Sequence, residues 1–179
     1  RKDKKGYIIQ PPIKKICKKI LYAFPVHLAQ YKDIIKDLVD VFGESDVAVD
    51  LKFHPQYEAV NLGLNLPSNF HIVEAVNQKT FRFTYDFVLF NDNSFCIESL
   101  ILGVRSYQYA VNDFSIDDRL FYFNLWNTVV KKEDLVSLRH QLSDSSLDKT
   151  FDIDEVRSFI NSTYKAHCDL DLFKSWALN

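Results

Sequence analysis

The sequence predicts an α/β fold built on a parallel, doubly wound sheet. Three observations carry this. Strand and helix patterns alternate at short intervals from residue 19 to residue 111, as in chains where helices cross between parallel strands. The run "DFVLF" at 86–90 is apolar almost throughout, as befits a strand covered on both faces. Residues 27–43 place apolar side chains at Leu28, Tyr31, Ile34, Ile35, Leu38 and Val41, the spacing of a helix with one buried face.

Taken in order, "KILYAF" (19–24) reads as a strand that Pro25 ends, and the helix that follows closes at Gly43, a natural C-cap. "VAVDLKF" (47–53) is a second strand. "PQYEAVNLGLNLP" is a short helix or loop, and "FHIVE" (70–74) a third strand. "NQKTFRFTY" (77–85) forms a short helix before strand four at 86–90. "SFCIESLILG" (94–103) is a helix ending at Gly103, and "VRSYQYAV" (104–111) a fifth strand. "KKEDLVSLRHQL" and "DIDEVRSFINSTYKAH" are amphipathic helices closing the C-terminal side. Right-handed crossovers place helices on both faces of such a sheet. Residues 1–18 are basic and stiffened by Pro11-Pro12, and read as a solvated linker or arm, with binding of an anionic lipid or polyanion as the minority reading. Residues 19–179 form one domain with its C-terminal helices.

Composition narrows the function. The 179 residues are 47% hydrophobic and 26% charged, with a net charge of −2. This is an ordinary globular balance with no general pull toward nucleic acid. Cys17, Cys96 and Cys168 are far apart and odd in number, which supports neither a disulfide framework nor a paired-cysteine metal site. A reducing cytoplasm is the expected compartment, with peripheral contact at the inner face of a membrane as an added expectation. No apolar run reaches the length of a membrane span. The chain contains no Met, and its opening in mid-charge reads as that of a fragment.

In an open parallel sheet, ligands bind beyond the carboxyl ends of the strands. His54 follows one predicted strand. Asn91, Asp92, Asn93 and Ser94 follow another and open a helix on which Glu98 lies four residues beyond Ser94. A helix start with a hydroxyl favours phosphate, and a carboxylate one turn further on can accept hydrogen bonds from ribose hydroxyls. Each piece alone has a plainer reading: a polar loop histidine, an N-cap, a solvated carboxylate. Their order on one frame points to a nucleotide. Lys79, Arg82 and Thr84 are further candidates for base or phosphate contacts, with a helix surface the plainer reading. The cluster "YKAHCDLD" (164–171) suits no common zinc site. The aromatic stretch "LFYFNLW" (120–126) reads as core or interdomain packing, with an acceptor platform as the alternative.

On "LKFHP" (51–55) and "DFVLFNDNSFCIESLILGV" (86–104), the chain resembles the C-terminal, nucleotide-binding half of GT-B glycosyltransferases. It is most similar to those of bacterial surface-polysaccharide synthesis, including bacterial sialyltransferases and capsule polymerases. The resemblance implies a Rossmann-like half of a GT-B fold and transfer of a sugar such as sialic acid from a nucleotide donor. It implies that His54 contacts the donor phosphate as the catalytic residue of this half, with Pro55 shaping the turn. Ser94 holds the second position of a serine pair whose first position is Asn93 here, and Glu98 matches a donor-site helix acid. The implied partners are a CMP- or CDP-linked sugar and a glycan acceptor, with the general base on a missing N-terminal domain. No metal or cofactor is implied. A sugar-nucleotide epimerase and a non-catalytic nucleotide-binding or assembly module are the alternatives.

Overall fold

The computed structural model describes residues 9–13, 15–25, 30–54, 63, 65–91, 93–111 and 129–164, the side chains of 159–164 excepted. The elements in order are β1 (Lys19–Ala23), α1 (Tyr31–Phe42), β2 (Ala48–Lys52), β3 (Phe70–Ile72), α2 (Phe81–Thr84), β4 (Phe87–Phe90), α3 (Phe95–Ile101), β5 (Arg105–Tyr109), β6 (Val129–Val130), α4 (Lys132–Ser143) and α5 (Ile153–Tyr164). The six strands form one sheet in the order β3-β2-β1-β4-β5-β6, and every pairing is parallel. Strand order runs outward from β1 in one direction through β2 and β3, and from β4 in the other through β5 and β6. This is a Rossmann-like doubly wound α/β sheet whose order reverses between β1 and β4.

Period-2 alternation sorts the strand side chains onto two faces. Ile20, Tyr22, Val49, Leu51, Phe87, Leu89, Tyr107 and Tyr109 pack with Ile34, Leu38 and Phe42 of α1 and Leu135, Leu138 and Leu142 of α4. On the other face Leu21, Ala23 and Val88 pack with Phe81, Tyr85, Leu102 and Val104. There Phe90 meets Cys96, Ile97 and Leu100 of α3 and Val156 of α5. Cys96 is thus a core residue, as its setting in the sequence implies.

Several local details differ from the sequence reading. Gly43 does cap α1, but with right-handed backbone at φ −59°. The end of the helix is satisfied by side chains instead: Ser45 Oγ donates to Phe42 O at 2.7 Å, and Asn69 Nδ2 donates to the same oxygen at 2.9 Å and to Val47 O at 2.8 Å. The helix expected over 77–85 is only the four residues of α2, because Asn77 folds its side chain back onto the Lys79 N–H at 3.0 Å and makes a turn of the residues ahead of Phe81. Strand β6 is absent from the sequence reading. Its two residues take their place only through pairing with Gln108 and Tyr109.

Within the expected solvated arm, residues 9–13 and 15–18 lie against the domain. Ile9 is buried beside α3, and Gln10 N–H donates to Ile101 O at 2.9 Å. Gly103 has φ +80°, and a Cβ there would sit 2.9 Å from Gln10 O, so this close approach and left-handed backbone need glycine. Further along, Asp86 at the amino end of β4 gathers the chain. Its carboxylate accepts the N–H groups of Cys17 at 2.8 Å and Lys19 at 3.0 Å, and the Lys149 ammonium at 3.0 Å. The stretches Pro55 and "LFYFNLW", with Cys168 and the residues of "YKAHCDLD" beyond Tyr164, lie outside the described residues.

Candidate functional site

The register fixes where the predicted residues fall. Lys52, Ala23, Phe90 and Gln108 stand side by side in one row across β2, β1, β4 and β5. This row is the carboxyl rim of the sheet at its point of reversal. His54 lies two residues beyond Lys52, and Asn91, Asn93 and Ser94 follow Phe90 directly. The two motifs are therefore on the same edge. Strands β2 and β4 flank β1, which separates them by two strand spacings, about 10 Å.

Ala23 ends β1 with a side chain of one carbon, and Asn93 Nδ2 reaches its carbonyl at 2.8 Å. Asn93 Oδ1 accepts the Phe95 N–H at 3.0 Å. Both ends of this amide are spent within the protein, tying the start of α3 to the end of β1. Asn93 therefore shapes the rim, and the Phe95 amide is not open to an anion. Ser94 is the N-cap by position but places no side-chain bond on the helix. Asn91 is buried and bonded to the end of β5, with its side-chain amide donating to Tyr109 O at 3.3 Å and its main-chain carbonyl accepting Gln108 Nε2 at 2.9 Å.

Glu98 is half-buried and accepts Gln78 Nε2 at 3.3 Å. Burial pushes its carboxyl above the ordinary range, and the Gln78 bond and the Lys52 ammonium offset that only in part. Lys52 is the residue that sequence reading missed. Its ammonium donates to Glu74 O at 3.4 Å and lies 5.8 Å from the centre of the Phe95 ring. Burial lowers its pKa, and Glu98 opposes that shift. His54 is half-buried, and burial followed by the neighbouring Lys52 charge lowers its pKa, favouring the neutral imidazole near pH 7. The missed signal was available in "VAVDLKFHP": Asp50, Lys52 and His54 recur at every second residue and so share a face.

Asp50 occupies the same face one step deeper. It is 2% exposed, accepts Tyr85 Oη at 2.6 Å and pairs with Lys19 at 2.8 Å. That pairing fixes β2 to β1 below the rim. The other candidates from the β3–α2 region do not join the site. Arg82 stacks over Phe83 at 4.7 Å and reaches toward Pro11 O, Thr84 Oγ1 donates to the carbonyl of Thr80 at the N-cap of α2, and Lys79 is exposed. Among the described residues no group of three or more His, Cys, Asp or Glu side chains is placed to hold a metal ion, and no helix is long and apolar enough to cross a membrane.

The fold defines a Rossmann-like domain whose strand order reverses between β1 and β4. No protein-family model matches the chain, and no curated protein matches its sequence. Solved structures match its fold. The calicheamicin glycosyltransferase CalG4 superposes with a TM-score of 0.51 at 13% identity, over 93% of this chain and 43% of that one. The glycosyltransferase SnogD from Streptomyces nogalater gives a TM-score of 0.44 at 17% identity, over 87% and 40%. The kitacinnamycin glycotransferase gives 0.46 at 16%, over 98% and 47%. The chain therefore spans less than half the length of each. At these identities the likeness is one of fold, and the architecture is that of one half of a GT-B structure.

Proposed function

We propose that this chain is the donor-nucleotide-binding half of a GT-B glycosyltransferase. The observation that supports the reading is that His54 follows β2, and Ser94 and Glu98 follow β4, at the same carboxyl edge of the sheet beside the strand-order reversal. Sheets of this kind bind ligands at that place, and a phosphate flanked by a histidine and a serine hydroxyl, with a carboxylate one helical turn away, matches the polar parts of a nucleotide.

In the proposed reaction an acceptor hydroxyl oxygen bonds to the anomeric carbon of the donor sugar. The bond from that carbon to the phosphate oxygen breaks, and its electron pair leaves with the nucleotide. A general base outside the described site takes the acceptor proton. His54 and Ser94 donate hydrogen bonds to the departing phosphate, whose negative charge grows as the bond breaks. Neutral His54 suffices for one such donor.

The finer assignment rests on the His-Pro and Asn-Ser segments. Their resemblance to the donor motifs of bacterial sialyltransferases favours a cytidine nucleotide, CMP or CDP, carrying a sugar such as sialic acid, and an acceptor in bacterial surface polysaccharide. The rest of the enzyme would supply the acceptor site and the general base, with peripheral attachment at the inner membrane face. A thermal-shift panel of CMP, CDP, UDP and GDP tests the reading. The largest stabilisation is expected from CMP or CDP. UDP or GDP clearly ahead would overturn the cytidine assignment alone, and no shift with any nucleotide would overturn the donor-site reading.

A further inference from the structure

We infer that Ile9 and Gln10 are positioning residues for α3, and that the strap formed by residues 9–13 and 15–18 thereby sets the nucleotide affinity of the rim. The inference rests on the donor-site reading above, since α3 carries Ser94 at its N-cap and Glu98 one turn on. This helix has only seven residues, too few to persist in water by itself. Its position is therefore set by what packs on it, and the strap supplies two of those contacts. Ile9 is 6% exposed and lies in one cluster with Cys96, Ile97 and Leu100 of α3, Phe90 at the end of β4 and Val156 of α5. Gln10 N–H donates to Ile101 O at 2.9 Å, one of the terminal carbonyls that a helix leaves open.

The far end of the strap is held independently of α3. Lys149 Nζ donates to Lys15 O at 2.8 Å, and the Asp86 carboxylate accepts the Cys17 N–H at 2.8 Å. Those contacts lie at the amino end of β4, whereas Ser94 stands past its carboxyl end. Between them the strap passes close over Gly103, where a Cβ would sit 2.9 Å from Gln10 O and 3.0 Å from Pro11 O. The helix is thus held by the sheet, on which Ser99 Oγ meets Ser106 Oγ, and by a strap anchored at the other end of β4. Removing the Ile9 side chain withdraws one of these supports without altering Ser94 or Glu98. The first turn of α3, closed by Ile97 N–H donating to Ser94 O at 3.0 Å, then opens more often. The fraction of molecules with the rim in place falls, and nucleotide affinity falls with it. By linkage, a bound nucleotide tightens the strap in return.

The test combines amide hydrogen exchange with calorimetric titration of CMP, CDP, UDP and GDP, on the full chain, for wild type, Ile9→Ala, Ile9→Val and Leu138→Ala. Leu138 of α4 is buried to a similar degree, 7% exposed, and packs on the opposite face of the sheet, so its variant controls for lost stability alone. Ile9→Ala is expected to speed exchange of the Ile97 N–H and to weaken binding of the tightest nucleotide by about 2- to 30-fold, the range of such indirect couplings. Ile9→Val should recover most of both, and Leu138→Ala should leave both at their wild-type values. Saturating nucleotide should slow exchange of the Gln10 N–H in the wild type. If Ile9→Ala does not fold, Ile9→Val decides, with a smaller loss of the same sign. Wild-type exchange at Ile97 in the Ile9 variants, or an equal loss of affinity in Leu138→Ala, would overturn the positioning role. Faster exchange at Ile97 with full affinity, or Gln10 exchange that the nucleotide leaves unchanged, would overturn the link to binding and leave the nucleotide site standing. Failure of the wild type to bind any of the four would overturn the donor-site reading and the affinity claim with it, while exchange at Ile97 still decides whether the strap positions α3.

Discussion

Replacing Lys149 by Met should destabilise the fold by about 3 kcal/mol. Lys149 and Asp86 are 5% and 0% exposed and lie 3.0 Å apart. Removing one partner of a buried ion pair leaves the other charge uncompensated, at a cost of about 3–5 kcal/mol. The lower end applies here because the Asp86 carboxylate keeps two backbone donors, the N–H groups of Cys17 and Lys19. The loss is larger than that of an exposed pair, about 0–1 kcal/mol. In a domain of this size each kcal/mol shifts the melting temperature by about 2–4 °C, so thermal denaturation should show a fall of about 6–12 °C. The double variant Lys149→Met with Asp86→Asn removes both charges and should recover part of that fall. A fall of less than about 2 °C for Lys149→Met would refute the claim that Asp86 depends on this ammonium and would place water at the pair.

Three further outcomes follow from separate features. Tyr22 is fully buried and its hydroxyl has no hydrogen-bond partner among the described residues, so Tyr22→Phe should be neutral or raise the melting temperature by about 2–4 °C; a clear fall would mean that the hydroxyl is satisfied by a bound water or by a residue outside those described. Gly103→Ala must adopt φ +80° and meet Gln10 O, and should cost about 1–2 kcal/mol in urea denaturation; no loss would show that the 9–13 segment yields. Burial raises the Glu98 pKa above its ordinary 4.5, so the folded state holds this proton more tightly than the unfolded one. Its contribution to stability is complete below pH 4.5 and is lost as pH rises through the raised value. Wild type should therefore lose more stability between pH 4 and pH 7 than Glu98→Gln does, and parallel pH profiles for the two would contradict the assignment.

The sheet was readable because its strands are covered on both faces and so advertise themselves as apolar runs. Phe87–Phe90 is wholly buried, and α1 carries its helical spacing from Ile34 to Val41. Elements made by their neighbours were not readable. Val129 and Val130 are a strand only because β5 offers an open edge, and α2 shrinks because Asn77 competes for the backbone ahead of it. For the candidate site, a count along the strands placed His54, Ser94 and Glu98 on one rim. The same count did not reveal that the Asn93 amide is consumed within the protein, since its partner, the Ala23 carbonyl, lies 70 residues away. Lys52 passed unnoticed inside an apolar strand, although its parity with His54 marks it as facing the same way. Gln78 carries no local signal, because its place opposite Glu98 is set by where the β3–α2 loop lands.

Calorimetric titration of CMP into wild type and His54→Ala, with a melting curve for each, bears most directly on the proposed donor site. His54 stands at the end of β2, half-buried at the rim rather than in the core. Loss of a hydrogen bond to a charged phosphate should weaken binding by about 1.5–3 kcal/mol, roughly 10- to 150-fold, with little change in melting temperature. Equal affinities with a lowered melting temperature would return His54 to the scaffold and contradict the account.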